Sequence, residues 1–167
     1  MNMVIEDMKE QDIEGKAYVH WKSWQETYAD LVDKDYLKNC VTLDGLRERT
    51  QKNTNDTLVA KVDGEIVGFA KYGAYRNQDL EGHGEIYAIY VLQQYQNMKI
   101  GYALMQESLR RMEHFSDVAV WVLRGNEKAI SFYKKVGFEF DGASVEIELG
   151  TPNVEERMIY HNYAVIS

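Results

Sequence analysis

The stretch Glu85 to Met105, EIYAIYVLQQYQNMKIGYALM, sets seven strand-like residues ahead of a polar turn and a helix that opens at a glycine. The first N–H groups of a helix have no partner inside it, so a strand, a tight turn and a helix N-terminus make a ready site for phosphate. Gln96, Asn97, Met98, Lys99, Ile100, Gly101 and Tyr102 supply that turn and first helical residues. A nest of backbone donors needs little sequence, so the segment points to a phosphate-bearing ligand. Two familiar nucleotide signatures are absent: there is no Gly-x-Gly-x-x-Gly and no glycine-rich loop ending in Gly-Lys-Ser/Thr, and Gly82-His83-Gly84 is neither.

A second set of residues suits an organic cation. Trp21, Trp24, Tyr28 and Tyr36, with Glu26, Asp30, Asp33 and Asp35, can offer aromatic faces and carboxylates to such a group. Their spacing is equally that of an amphipathic helix using Trp and Tyr for packing. His20, His83, His114 and His161 show no metal-ligand spacing and Cys40 is the only cysteine, so no metal site is expected. Cys40 itself reads as an inert, partly buried thiol in a reducing compartment.

A formal charge of −8 weighs against a nucleic-acid binder, which needs clustered Lys and Arg. The N-terminus lacks an apolar signal core, and the apolar run Val118 to Leu123 is too short to span a bilayer. The expectation is a cytoplasmic protein without membrane or nucleic-acid partners. At 167 residues, without repeats or a composition shift, the chain reads as a single domain, 1–167.

The elements that must position these groups follow from the patterning. Val4 and Ile5 start a short strand, and Asp12 to Ala29 carries a helical stripe. Asp33 to Gln51 is expected as a second helix, weakened in its middle by Gly45. Thr57 to Val62 and Glu65 to Tyr72 form a hairpin through Asp63-Gly64, a dipeptide suited to a two-residue turn. The strand from Glu85 has apolar residues on both faces, as an interior strand does. After it come a helix from Ile100, a strand over Asp117 to Arg124, and a helix capped by Asn126 and stopped at Gly137. Two closing strands flank Gly150-Thr151-Pro152-Asn153, and their free edges are places where a homodimer can pair. Helices that do not alternate strictly with strands predict an α+β fold, with a mostly antiparallel, twisted central sheet flanked by helices.

Two blocks carry a family resemblance. Gln96 to Gly101 resembles the acetyl-coenzyme A motif Q/R-x-x-G-x-G/A of the GNAT family of N-acetyltransferases, with Gln96 and Gly101 at its ends and Lys99 in place of the middle glycine. Asn126 to Phe138, NEKAISFYKKVGF, fills every fixed position of the family pattern N-x-x-A-x-x-F-Y-x-x-x-G-F. The likeness covers about residues 55 to 161. It implies the GNAT acyl-CoA N-acyltransferase fold, a helical acceptor-side region over 1–55 and an acetyl-CoA-binding core over 56–167.

The same resemblance implies direct transfer of acetyl from acetyl-CoA to a primary amine, a small cationic metabolite such as a polyamine. Alternatives are a peptide or protein N-terminus or lysine as acceptor, or a non-catalytic acetyl-CoA sensor. It places Tyr133 as the acid that protonates the leaving thiolate, and Glu85 as the base, acting directly or through water. Ile89, Tyr90 and Val91 lie beside the pantetheine and offer a main-chain N–H to the carbonyl, with Asn126 against the coenzyme. Trp24, Tyr28 and Glu85 would meet the acceptor. Lys99 is expected to keep the loop in a helical conformation and to contact or flank the phosphates.

Overall fold

In the computed structural model, which describes residues 2–162, seven strands form one sheet in the order β1-β2-β3-β4-β5-β7-β6. The strands are β1 (Met3–Asp7), β2 (Thr57–Val62), β3 (Glu65–Ala74), β4 (Gly84–Val91), β5 (Asp117–Leu123), β6 (Glu139–Glu148) and β7 (Pro152–His161). The helices are α1 (Ile13–Thr27), α2 (Lys34–Asn39), α3 (Leu43–Lys52), α4 (Ile100–Arg111) and α5 (Glu127–Val136). Every neighbouring pair is antiparallel except β4 and β5. No helix among the described residues is long and apolar enough to cross a membrane.

Local chemistry explains the boundaries. Asp63 and Gly64 both take positive φ, 50° and 87°, which turns β2 into β3 in two residues with the twist a hairpin needs. The expected helix over 33–51 is two helices. Asp33 accepts a hydrogen bond from Tyr36 N (3.0 Å) to cap α2, and Thr42 accepts one from Gly45 N (3.1 Å) to cap α3. The second cap restarts the chain after buried Val41, so Gly45 falls in a first turn. Cys40, expected partly buried, is exposed at the C-terminal end of short α2.

The sheet is covered on both faces. On one, α4 and α5 enclose Leu104, Met105, Val118, Val120, Phe138 and Met158, all at most 2% exposed. Each side chain buried this way is worth about 1.5–3 kcal/mol. On the other face, α1 packs Val19 against Val59 and Phe69, while Tyr28, Val32, Leu37 and Leu46 gather around Leu123.

The centre of the sheet opens. β4 pairs with β5 at only three positions, Gly84↔Val118, Glu85↔Ala119 and Ile86↔Val120, whereas β5 stays paired with β7 along its whole length. Opposite β3, Tyr72 pairs with Ile86 and Lys71 with Ala88, which leaves Tyr87 as an unpaired bulge residue on β4. A bulge bends its strand and re-aims the side chains after it. Gly84 to Ile86 are buried, while Tyr87 to Val91 are half-buried beside the widening gap.

Candidate active site

The phosphate-binding turn stands at the wide end of that gap. The first intrahelical bond of α4 runs from Ala103 N to Lys99 O (3.0 Å), leaving the N–H groups of Ile100, Gly101 and Tyr102 without helical acceptors. Ile100, 1% exposed, pins the helix start to the core, while Asn97, Met98, Lys99 and Tyr102 are exposed around it. Lys99 does not continue the helix backwards as expected. It caps α4 in the left-handed region (φ 64°, ψ 15°), and Asn97 is also left-handed (φ 67°). The loop needs the positive φ that glycine supplies easily, and a lysine held there carries a strain of about 1–2 kcal/mol. Positive φ at Asn97 and Lys99, on either side of Met98, is the kind of alternation from which an anion nest is built.

Gln96 braces this loop. Its Nε2 donates to Val91 O (3.1 Å), and its Oε1 accepts from Lys128 Nζ on α5. A methyl group on Gly101 would meet Phe132 at 3.6 Å and Val91 at 3.8 Å, so α4, α5 and β4 converge here at ordinary contact distance. Asn126 caps α5 by accepting from Ala129 N (3.3 Å), and its Nδ2 has no hydrogen-bond partner among the described residues. The open N–H groups of α4 and this amide fit the pyrophosphate and amide groups of a coenzyme A.

Tyr133 lies on the inner side of α5, its ring packed between Phe132 (5.6 Å) and Phe138 (5.7 Å). Burial pushes its phenol well above the ordinary value, so it stays protonated. Its Oη has no hydrogen-bond partner among the described residues. The proton is therefore available to a ligand in the gap. Tyr90 and Tyr28 approach from the other face, Oη to Oη at 3.0 Å, and burial raises both phenols. Trp24 packs edge-on against Tyr28 (4.6 Å), its buried indole N–H near Tyr90 but outside hydrogen-bonding geometry.

Glu85 is 1% exposed and already engaged: it accepts from Arg76 N (3.2 Å), Nε (3.3 Å) and Nη2 (2.7 Å). Protonating it would strip a buried partner from the guanidinium, so this geometry is that of an anchor for the loop after β3 rather than of a free base. The carboxylate of Glu155, half-buried on β7 opposite Leu123, has no hydrogen-bond or ion-pair partner among the described residues. Burial raises its pKa; Arg76 opposes this and Glu85 adds to it. Arg76 and Glu155 escape a reading of sequence because they lie in no spaced motif, and Lys128 because it fills a variable position of one. Polar residues fall on both faces of Asn153-Val154-Glu155-Glu156-Arg157, so alternation does not single out Glu155.

Two cavities, of about 340 Å³ and 390 Å³, lie away from this gap. One is lined by residues of α1 and the loop after β4, including Tyr18, Lys22 and Gln94; the other lies along the exposed side of α5 at Ser131 and Lys134. The gap is defined by unpaired strand and helix ends rather than by enclosed volume.

A nucleotide-like nest beside a split parallel strand pair, with a protonated phenol across the gap, defines an acyl-coenzyme A transferase site. Comparison with known proteins agrees: residues 5–138 match the acetyltransferase (GNAT) family, and the chain belongs to it. It is 30% identical over 164 residues to the uncharacterized N-acetyltransferase YuaI of Bacillus subtilis, covering 91% of this chain and 94% of that one. It is 25% identical over 151 residues to a spermidine N(1)-acetyltransferase of Thermoplasma acidophilum, covering 84% and 91%. In fold it is similar to the PaiA N-acetyltransferase from T. acidophilum in complex with coenzyme A, with a TM-score of 0.71, 24% identity and coverage of 93% and 98%. The chain is an acetyl-CoA-dependent N-acetyltransferase with the mixed α+β architecture of its family.

Proposed function

We propose that this enzyme acetylates a small cationic amine. The observation that carries this reading is the two-sided gap between β4 and β5. On one face stand the N-terminus of α4 and Asn126; on the other, Tyr28, Trp24 and the carboxylate of Glu155. Aromatic faces with acidic groups suit an alkylammonium ion. The likeness to a spermidine acetyltransferase supports the same class of acceptor.

Acetyl-CoA, when bound, supplies a thioester as the acyl donor. The turn from Gln96 to Tyr102 holds its pyrophosphate through main-chain N–H groups, and Asn126 Nδ2 donates to the pantetheine arm. Main-chain N–H groups of Ile89 and Val91, which alternate away from β3 and are freed by the departure of β5, polarise the carbonyl oxygen. Tyr133 Oη gives its proton to the sulfur as it leaves. Trp24 and Tyr28 shape the acceptor pocket, and Glu85 fixes Arg76 and its loop at the pocket wall.

The test is release of free thiol from acetyl-CoA with a panel of spermidine, aminoglycosides, amino acids and short peptides. Turnover with spermidine or a related cation is expected. Turnover confined to peptides would make the chain a peptide or protein N-acetyltransferase, and coenzyme binding without release would make it a sensor.

A further inference from the structure

We infer that Glu155 is the carboxylate that receives the acceptor's ammonium group and takes its proton. The inference rests on the acetyl-transfer reading above and names a base for it. Strand register supplies the placement. Glu155 pairs with Leu123 of β5 and Val145 of β6, and paired residues point to the same side of a sheet. Leu123 belongs to the cluster of Tyr28, Trp24 and Tyr90, so Glu155 faces the acceptor side of the gap.

Two contacts hold this part of β7 against the helices. Asn153 Nδ2, two residues before Glu155 and on the same face, donates to Leu31 O (3.0 Å). Gly150, at φ 82°, sits so close to Asp33 and Tyr36 that a Cβ there would meet both at 2.8 Å. The hairpin is thereby closed over the end of α1 and the start of α2.

The groups that face Glu155 are accounted for. Tyr28 at the end of α1, Arg76 after β3 and Glu85 on β4 all act electrostatically on it or feel its charge. Leu123 and Val145 beside it are apolar. Arg76 is claimed by Glu85 through two guanidinium hydrogen bonds. Arg157, next on the same face, is claimed by Asp79 (2.7 Å) and Asp141 (2.7 Å). Glu155 therefore has no cation within ion-pair distance among the described residues. A half-desolvated carboxylate without a cation, beside aromatic rings, is a place for an alkylammonium ion.

The proton balance closes with two residues. The ammonium gives one proton to Glu155, which returns it to solvent, and the neutral nitrogen forms the C–N bond as the C–S bond breaks. Tyr133 gives a proton to the sulfur, and the second proton lost by the nitrogen restores Tyr133. Burial raises the Glu155 pKa, which makes the carboxylate a stronger base than an exposed one.

The test compares wild type with Glu155→Gln, using spermidine and trifluoroethylamine, an amine neutral at pH 7, as acceptors. With spermidine, Glu155→Gln is expected to lower kcat/KM about 100-fold near neutral pH. The deficit should shrink as pH rises and spermidine deprotonates in solution. With trifluoroethylamine the loss should be several-fold smaller, and coenzyme affinity should be unchanged. Equal losses with both amines at every pH, or a wild-type profile, would overturn the role. If wild type releases no thiol with any amine, the acetyl-transfer reading fails by itself. Calorimetry with spermidine then decides the ammonium contact: about tenfold weaker binding in Glu155→Gln sustains it, and equal binding overturns it.

Discussion

At Tyr133 burial keeps the phenol protonated, so the residue enters the reaction as a proton donor. A thiolate is a weaker base than that phenolate, so the proton moves to sulfur only as the nitrogen's own proton replaces it. Tyr133→Phe keeps the ring contacts with Phe132 and Phe138 and removes only the hydroxyl group. It should lower kcat by about 10²-fold while coenzyme affinity stays within error, and turnover equal to wild type at every pH would end the acid role. Lys99 combines a strained backbone with a charge, and two substitutions separate them. Lys99→Gly relieves the left-handed strain, while Lys99→Ala keeps it; both remove the charge. The glycine variant should melt at or above the wild-type temperature and the alanine variant at or below it. Both should bind coenzyme more weakly at low salt, with a shallower salt dependence, if Lys99 flanks the phosphates. Unchanged affinity and salt dependence in both would remove any electrostatic role.

Helix α5 depends on Asn126 twice, through Oδ1 as the cap on Ala129 N and through Nδ2 as an open donor. Asn126→Asp keeps a good cap and loses the donor, whereas Asn126→Ala loses both. The alanine variant should cost about 1 kcal/mol in urea unfolding, and the aspartate variant almost none. Both should weaken coenzyme binding, which direct titration would read; an aspartate variant with wild-type affinity would confine Asn126 to capping. Elements of this kind were legible because their signals are local: the Asp63-Gly64 turn, the Asn126 cap and the Gly137 stop each lie within four residues of what they control. The helix break at Val41–Thr42 was also local, but the spacing of Tyr36, Leu37, Leu43 and Leu46 runs across it as in one helix. The bulge at Tyr87 depends on register between β3 and β4, and the three-residue contact on register between β4 and β5, whose partners lie more than 30 residues apart; patterning encodes neither. For the same reason the engagement of Glu85 by Arg76 is not visible along the chain, and Glu155 did not stand out at all. Lys99 was misjudged because lysine disfavours positive φ, and the geometry of the α4 cap overrode that preference.

Across the molecule, stability should carry the mark of a buried cation outside the reaction centre. Lys16 is 6% exposed, its Nζ 3.2 Å from Thr50 Oγ1 and 4.6 Å from the centre of the Phe69 ring, with no carboxylate in contact among the described residues. Burial first, then Lys71 and Arg49, lower its pKa from 10.5 to about 8. Next to it, burial and the charges of Lys16 and Arg49 hold His20 down to about 3. Both folded-state values lie below the unfolded ones, so in each window the unfolded chain binds more protons and stability rises with pH. The first rise, from His20, spans about pH 3 to 6.5; the second, from Lys16, spans about pH 8 to 10.5. A shift of that size for Lys16 corresponds to roughly 3 kcal/mol between the ends of its window. Lys16→Met fills the same space without a charge, and Thr50 Oγ1 keeps its bond to Leu46 O (2.8 Å). The variant should therefore be more stable than wild type by ~1–3 kcal/mol at pH 7. Its alkaline rise should vanish, and its acid rise should begin at higher pH than in wild type, because His20 no longer faces the Lys16 charge. Urea midpoints measured from pH 4 to about 10 would show this, and a variant whose curve runs parallel to wild type across that range would refute it.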